Sequence, residues 1–369
     1  MKKYILVPYA NLNIGGVPTK IIDIVNTLKT THPDVMVRIL LQNGRLNDQR
    51  SLIHNPNVSV FNFSFPLPFG KKIAYILWLW WNIFYFRPIS ILAFLSPYAL
   101  PALLAKIIFF FYSVRVIVSE DHYTQTLLKT MAMPWLQKIG IRMLYPTADT
   151  IIVPTIAIRQ QLEEICRLPK DTIFVVSNWT RFTEIKIHEH TRKWDIIHIG
   201  RLVASKNPLR IAQIMAGYVK MYPNTLCAIV GEGDQTNQIK QFIHKHHVDK
   251  RITVYSATLD VSMYLCQAKT FLFLPEPETE GFPMVLLEAM ACGTIAISEQ
   301  FKGVDEILKN KENGFVLPIS TVTPILIHKA ITNSSTVQKN AHSFVKKYCS
   351  PKEIYKYILA LNPKIKESL

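Results

Sequence analysis

The chain has 369 residues, a net charge of +16, and about half of its residues are apolar. That length exceeds one ordinary domain, so roughly two domains with separate cores are expected. Five scattered cysteines (Cys166, Cys227, Cys266, Cys292 and Cys349) with no CxxC pair argue against a disulfide framework or zinc site and for a reducing compartment.

The first element, "KYILVPY", reads as a strand; the apolar run after the opening lysines is too short for a signal peptide. A loop with paired glycines, Gly15 and Gly16, leads into a helix carrying Ile21, Ile22, Ile24, Val25 and Leu28. The strands "VMVRILLQ" and "VSVFNF" follow. Residues 73–118 contain several apolar runs. Each falls short of the roughly 20 residues of a spanning helix, and Arg87, Pro88, Pro97, Pro101, Lys106 and Arg115 break them. They read as helix, strand, helix, strand of a parallel sheet, whose buried strands are continuously apolar. The first of these helices, between Lys71 and Arg87, concentrates Tyr75, Trp78, Trp80, Trp81, Phe84 and Tyr85. Aromatics flanked by cations suit a lipid-facing helix, and they suit equally the core of an aromatic-rich domain. A helix over 135–144, the strand "TIIVPT", a helix over 157–165 and the strand "TIFVVSN" complete this half.

Residues 181–194 are polar and without period, and read as a linker. A second alternation follows: "DIIHIG", a helix, "LCAIVG", a helix, "ITVYS", a helix, "TFLFLP", an apolar helix, "TIAIS", then "GVDEILK". The domains expected are 1–180, 195–350, and a C-terminal helix within 351–369 that packs back toward the first domain. Two serial runs of β-α-β units mean two doubly wound, Rossmann-like α/β domains. Ligands in such folds sit beyond the carboxyl ends of strands, which places the site in a central cleft that the domains face.

The most informative stretch is "PEPETEGFPMVLLEAMACG". Pro283 suits the first turn of a helix and Gly293 the position just past its end. Glu288 stands among apolar neighbours on a helix that looks buried all round, and a buried carboxylate needs a partner. Glu280 lies in the loop ahead. The second constellation is "HIGRLVASKNPLRI": Gly200 closes the strand, Arg201 and Lys206 flank the turn, and Asn207 then Pro208 read as N-cap and first turn. Two cations beside a helix N-terminus suit a diphosphate. Gly15 and Gly16, and Gly231 in "VGEGD", permit close backbone approach. His122 follows a strand, where a histidine can move a proton. His244, His246 and His247 read as a solvated face. The basic excess is spread over both halves: residues 1–180 hold 18 Lys and Arg against 9 Asp and Glu, residues 181–369 hold 24 against 17. Such charge draws anionic lipid, nucleic acid or phosphorylated small molecules.

In this order the pieces resemble a retaining nucleotide-sugar glycosyltransferase of the GT-B fold, glycosyltransferase family 4 (glycosyl transferases group 1). The family's most specific mark, Glu, seven residues, Glu, matches Glu280 and Glu288. The resemblance implies that Arg201 and Lys206 neutralise the departing diphosphate, that Glu288 holds the ribose, and that Glu280 holds the donor sugar. Gly281, Phe282, Pro283, Met284 and Val285 would line the sugar and phosphates, with Gly200 and Gly231 in the donor site. Gly15 and Gly16 would approach the diphosphate and His122 would touch the sugar. It further implies hexosyl or N-acetylhexosaminyl transfer, with no metal and no cofactor. The nucleotide-diphosphate sugar would be a co-substrate, and the acceptor a glycan or polyprenyl-linked molecule. The Lys-, Ile- and Asn-rich composition suggests a bacterial surface-polysaccharide pathway, and the Trp-rich helix between Lys72 and Arg87 suggests a cytoplasmic protein peripheral on the membrane through the first domain; no nucleic acid is expected. Ala257, Glu276 and "SNWTR" depart from the family pattern in the base pocket and acceptor region. The alternatives are another GT-B enzyme, an epimerase or a phosphorylase, or a basic lipid- or nucleic-acid-binding protein.

Overall fold

The computed structural model describes residues 3–43, 49–64, 70–124, 133–166, 168, 172–185, 192–332 and 335–361. The chain divides into two compact units, one of Met1–Ser177 with Lys352–Leu369 and one of Asn178–Pro351.

The first unit holds strands β1 (Lys3–Tyr9), β2 (Val35–Leu41), β3 (Val58–Asn62), β4 (Ser90–Phe94), β5 (Arg115–Ser119), β6 (Thr150–Val153) and β7 (Ile173–Val175). They form one parallel sheet in the order β3-β2-β1-β4-β5-β6-β7. Strands β4 and β6 are buried along their whole length, as expected where helices cover both faces. The chain reverses direction between β1 and β4, the switch point where such folds place ligands. The connections β3 to β4, β4 to β5 and β5 to β6 all advance the same way across the sheet. Right-handed crossovers therefore put the helices Lys71–Phe86, Ser96–Ile108 and Pro134–Leu144 in one layer. Trp80 Nε1 donates to the Pro101 carbonyl at 2.9 Å, and Gln137 Nε2 to Ser96 Oγ at 3.1 Å. The helix Glu353–Leu361 belongs to this unit. Its buried Tyr357 hydroxyl accepts from Lys20 Nζ at 2.7 Å, and Ser90 Oγ donates to the Leu361 carbonyl at 2.6 Å. Lys20 also pairs with Asp121, and both are buried. The extra hydrogen bonds from Tyr357 and Ser119 are what make such a desolvated pair tolerable.

The second unit repeats the plan with β8 (Trp194–Ile199), β9 (Cys227–Val230), β10 (Ile252–Tyr255), β11 (Ala268–Phe273), β12 (Ile295–Glu299) and β13 (Phe315–Leu317). Their order is β10-β9-β8-β11-β12-β13, all parallel, with the switch point between β8 and β11. Strand β13 and the helices Pro324–Thr332 and Ser335–Tyr348 went unread in the sequence, and "GVDEILK" forms only a 3-10 turn over Val304–Glu306. Part of the expected linker is structured: Arg181–Glu184 is a 3-10 turn, and Phe182 and Ile185 pack on the core of the second unit. Thr180 N–H donates to the Cys349 carbonyl at 3.0 Å. Two apolar side chains in a polar run suffice to dock it. Residues 186–191 of the expected linker lie outside the described residues. Among the described residues no helix is long and apolar enough to cross a membrane.

Candidate active site

Two loops meet at the switch point of the second sheet. The first leaves β8 at Gly200 and the second leaves β11 at Leu274. The Glu276 N–H donates to the Ser205 carbonyl at 3.0 Å, and Asn207 Nδ2 to the Leu274 carbonyl at 3.0 Å. Lys206 then pairs with Glu280 across them, with both side chains largely buried. The same ammonium lies 5.5 Å from the centre of the Phe273 ring. A third loop joins from β12, where Lys302 N–H donates to the Pro277 carbonyl at 3.0 Å.

Asn207 stands at the N-cap position of the helix Pro208–Met221 and Pro208 in its first turn, as expected, but the side chain is used differently. Asn207 adopts the left-handed region (φ 49°, ψ 42°) and its side chain makes no cap bond. It is spent instead on tying the two loops together. Asparagine tolerates this backbone region better than most residues.

Burial strips water from the Lys206 ammonium. With the Arg201 charge nearby, this pulls its pKa from 10.5 down to about 7. The Glu280 carboxylate in contact with it favours the charged form and opposes that shift. Arg201 itself is exposed. Beneath the loops, His198 is fully buried and stacks over Phe271 with an interplanar angle of 3°. Burial holds it down at about 4, so it is neutral. Its Nδ1 lies 3.0 Å from the Leu272 carbonyl, which makes Nδ1 the protonated nitrogen and leaves Nε2 an acceptor. That buried Nε2 has no hydrogen-bond partner among the described residues.

The glycines divide by role. A Cβ on Gly231 (φ 151°) would come within 1.9 Å of the Gly200 carbonyl oxygen, and one on Gly233 within 2.2 Å of the Leu202 carbonyl oxygen. Backbone packs so closely at both positions that no side chain fits there. At Gly200 a Cβ would meet only the His198 ring, at 3.6 Å.

The helix Met284–Ala291 starts one residue later than expected, with Pro283 at the N-cap position. It closes in a Schellman motif: Gly293 (φ 65°) donates to the Met290 carbonyl at 3.1 Å and Thr294 to the Ala289 carbonyl at 2.9 Å. It is not buried all round. Val285 and Glu288 are only half-buried, and their spacing of three puts both on one face. Glu280, Gly281, Phe282, Pro283 and Met284 are buried. The Phe282 carbonyl accepts from Asn178 Nδ2 at 2.8 Å, so that oxygen is engaged by the protein. Gly15 and Gly16 are exposed after β1, and half-buried His122 follows Asp121 after β5; all three belong to the first unit.

Three buried residues escaped the sequence reading. Asn178 is tied to Phe282 from 104 residues away, and its Oδ1 has no partner among the described residues. Glu299 accepts two bonds of 2.6 Å from Arg210 and a third of 2.6 Å from the Ser320 N–H, fixing the carboxyl end of β12. His198 is the third. Only its place in "HIG" could have drawn notice; the partners of the other two are too distant in sequence to show.

Two doubly wound parallel sheets, one with paired loops and a buried cation at its switch point, define the GT-B class of fold. Residues 180–347 match the family described as "Glycosyl transferases group 1". The chain is 24% identical over 188 residues to a phosphatidylinositol N-acetylglucosaminyltransferase component of Arabidopsis thaliana, a match covering 50% of this chain and 42% of that protein. It is 31% identical over 125 residues to an uncharacterized glycosyltransferase of Haemophilus influenzae, covering 33% of this chain and 34% of the relative. The chain thus spans well under half of these relatives' length. Over the full length of both chains it shares a fold, at 16% identity and a TM-score of 0.76, with HepE of Anabaena solved in complex with UDP.

Proposed function

We propose that this protein is a retaining glycosyltransferase that moves a hexosyl or N-acetylhexosaminyl group from a nucleotide-diphosphate sugar to a glycan or lipid-linked acceptor. The observation that carries this reading is the Lys206–Glu280 pair, buried at the switch point of the second sheet and next to the start of the Met284–Ala291 helix. A diphosphate leaving group needs positive charge that is already in place. Lys206 and Arg201 supply it, and the first N–H groups of the helix add to it. An ammonium has three donors, so Glu280 can take one and leave the others for phosphate oxygens. Glu280 keeps further lone pairs for sugar hydroxyls. Glu288, on the open face of the helix, is the acceptor for a ribose diol. These cations carry the charge without a metal ion.

The UDP bound in the structural relative HepE supports a nucleotide-diphosphate donor. The relatives' own names, a phosphatidylinositol N-acetylglucosaminyltransferase subunit and the UDP-Gal:alpha-D-GlcNAc-diphosphoundecaprenol alpha-1,3-galactosyltransferase of Escherichia coli, support a lipid-linked acceptor. The setting proposed is surface polysaccharide synthesis on the cytoplasmic face of a membrane. The test is a panel of nucleotide sugars, read by thermal stabilisation and by donor turnover with and without Lys206→Ala. Turnover that survives the substitution sinks the site; a panel that neither stabilises nor turns over sinks the activity.

A further inference from the structure

We infer that the helix layer of the first unit formed by Lys71–Phe86, Ser96–Ile108 and Pro134–Leu144 is a docking face for an anionic lipid bilayer. This is independent of the transferase reading, because it rests on surface chemistry of the first unit alone.

The Pro134–Leu144 helix buries only Ile141. Its apolar stripe, Trp135, Leu136, Ile139 and Met143, recurs at helical spacing, yet it stands in solvent, with Trp135 62% and Met143 69% exposed. Lys138 and Arg142 lie exposed along the same stripe. The Lys71–Phe86 helix has two apolar faces. Tyr75, Leu79 and Ile83 turn inward and are buried, while Ile73, Leu77, Trp81 and Tyr85 turn outward and are exposed. Trp81 and Tyr85 stack on each other at 5.2 Å. The third helix ends in exposed Ile107 and Ile108, and Phe110 beyond it is 83% exposed. Its neighbour Phe109 touches Phe84 of the adjacent helix, with ring centres 5.9 Å apart. The layer is continuous. A Cβ on Gly140 would come within 3.0 Å of Leu100, and Trp80 bonds Pro101.

Charge selects the occupant. The three helices carry Lys71, Lys72, Lys106, Lys138 and Arg142 and no Asp or Glu, and of these cations Lys106 is paired with Asp149. Exposed Trp and aliphatic side chains framed by cations, with acidic residues excluded, match an interface whose surface is apolar beneath and negative above. None of these helices is long and apolar enough to span a bilayer, so the protein lies on the lipid surface. Each exposed apolar side chain inserted adds burial, and each cation near the surface adds about 1 kcal/mol.

The experiment is co-sedimentation of the full chain with vesicles of phosphatidylcholine alone or mixed with phosphatidylglycerol. The wild type is expected to bind the mixed vesicles about tenfold more tightly than neutral ones, with loss at high salt. The double variant Ile139→Asp with Met143→Asp is expected to bind at least about tenfold more weakly. These residues are exposed, so the melting midpoint is expected to stay within a few degrees of wild type. Lys138→Gln with Arg142→Gln is expected to remove the preference for anionic vesicles. Three results would overturn the proposal: no binding to mixed vesicles, equal binding to neutral ones, or full binding by the Asp variant. A lipid-independent dimer that the same variant dissolves into monomers would give the face to a second copy instead.

Discussion

The two units share a sheet order, with a central strand flanked by the second and fourth of each run, and they spend their side chains differently. In the second unit, charge is drawn inward at the strand ends: Lys206 meets Glu280, and Arg210 grips Glu299, which is 1% exposed. In the first, apolar side chains are turned outward across three neighbouring helices, and acidic residues are missing from the sequence that builds them. One topology thus carries buried ion pairs at the strand ends in one copy and an apolar surface in the other. What a doubly wound domain does is decided in its loops and faces, and its sheet only positions them.

The substitution that would break this contrast most severely is Lys206→Ala. It leaves Glu280 as a buried carboxylate without its cation, at a cost of roughly 3 kcal/mol in stability. Donor turnover is expected to fall by roughly 10²–10³-fold. Lys206→Met combined with Glu280→Gln removes both charges, and is expected to recover the melting midpoint while turnover stays lost. Recovery of turnover as well would make the pair structural only.

Among the described residues of the first unit, one carboxyl group is strongly raised. Burial raises Glu120 from 4.5 to about 8, against the Tyr145 hydroxyl that donates to it at 2.5 Å. A carboxyl whose folded pKa is raised keeps its proton when folded after it would lose it unfolded. The sign is therefore a loss of stability as pH rises from 4.5 to 8, with no further loss above. The slope is on the order of 1.4 kcal/mol per pH unit at most. Urea midpoints at pH 5 and pH 8 measure it, and Glu120→Gln is expected to flatten the difference. An unchanged slope in the variant would show that Glu120 is ionised when folded.

Gly231→Ala places a methyl against the Gly200 carbonyl. It is expected to cost roughly 1–3 kcal/mol and to loosen the Arg201 loop, seen as a weaker donor affinity that Gly200→Ala does not reproduce. Glu288→Gln is the mildest. It sits on the half-open face of its helix, so stability is expected to hold while donor affinity falls about tenfold, the effect of one charged hydrogen bond. Equal affinity in the two proteins would take the ribose away from Glu288.

Much of this architecture is legible in the sequence because it is local. Continuous apolar strands alternating with helices give two parallel sheets, and Pro283 and Gly293 mark the ends of the central helix within one residue. Strand β13 fails because it spans three residues with only Val316 buried, too few to show a period. Glu280, Glu288, Arg201 and Lys206 could each be picked out. That Lys206 and Glu280 touch could not, since 74 residues separate them. The N-cap position of Asn207 is legible, but the use of its side chain is not, because its left-handed backbone turns the amide toward Leu274, which no cap rule anticipates. The Trp135 stripe shows a further limit. A helical apolar period looks the same whether its face meets a core or solvent, and only packing reveals which.

The most direct measurement of the central claim is binding of nucleoside diphosphates to the purified full chain by calorimetry, wild type beside Lys206→Met with Glu280→Gln. Saturable binding of one nucleoside diphosphate by the wild type, lost by at least about tenfold in the folded double variant, is the result predicted. Binding of equal strength in both proteins, or none in the wild type with any nucleoside diphosphate, would contradict a donor site built on this pair.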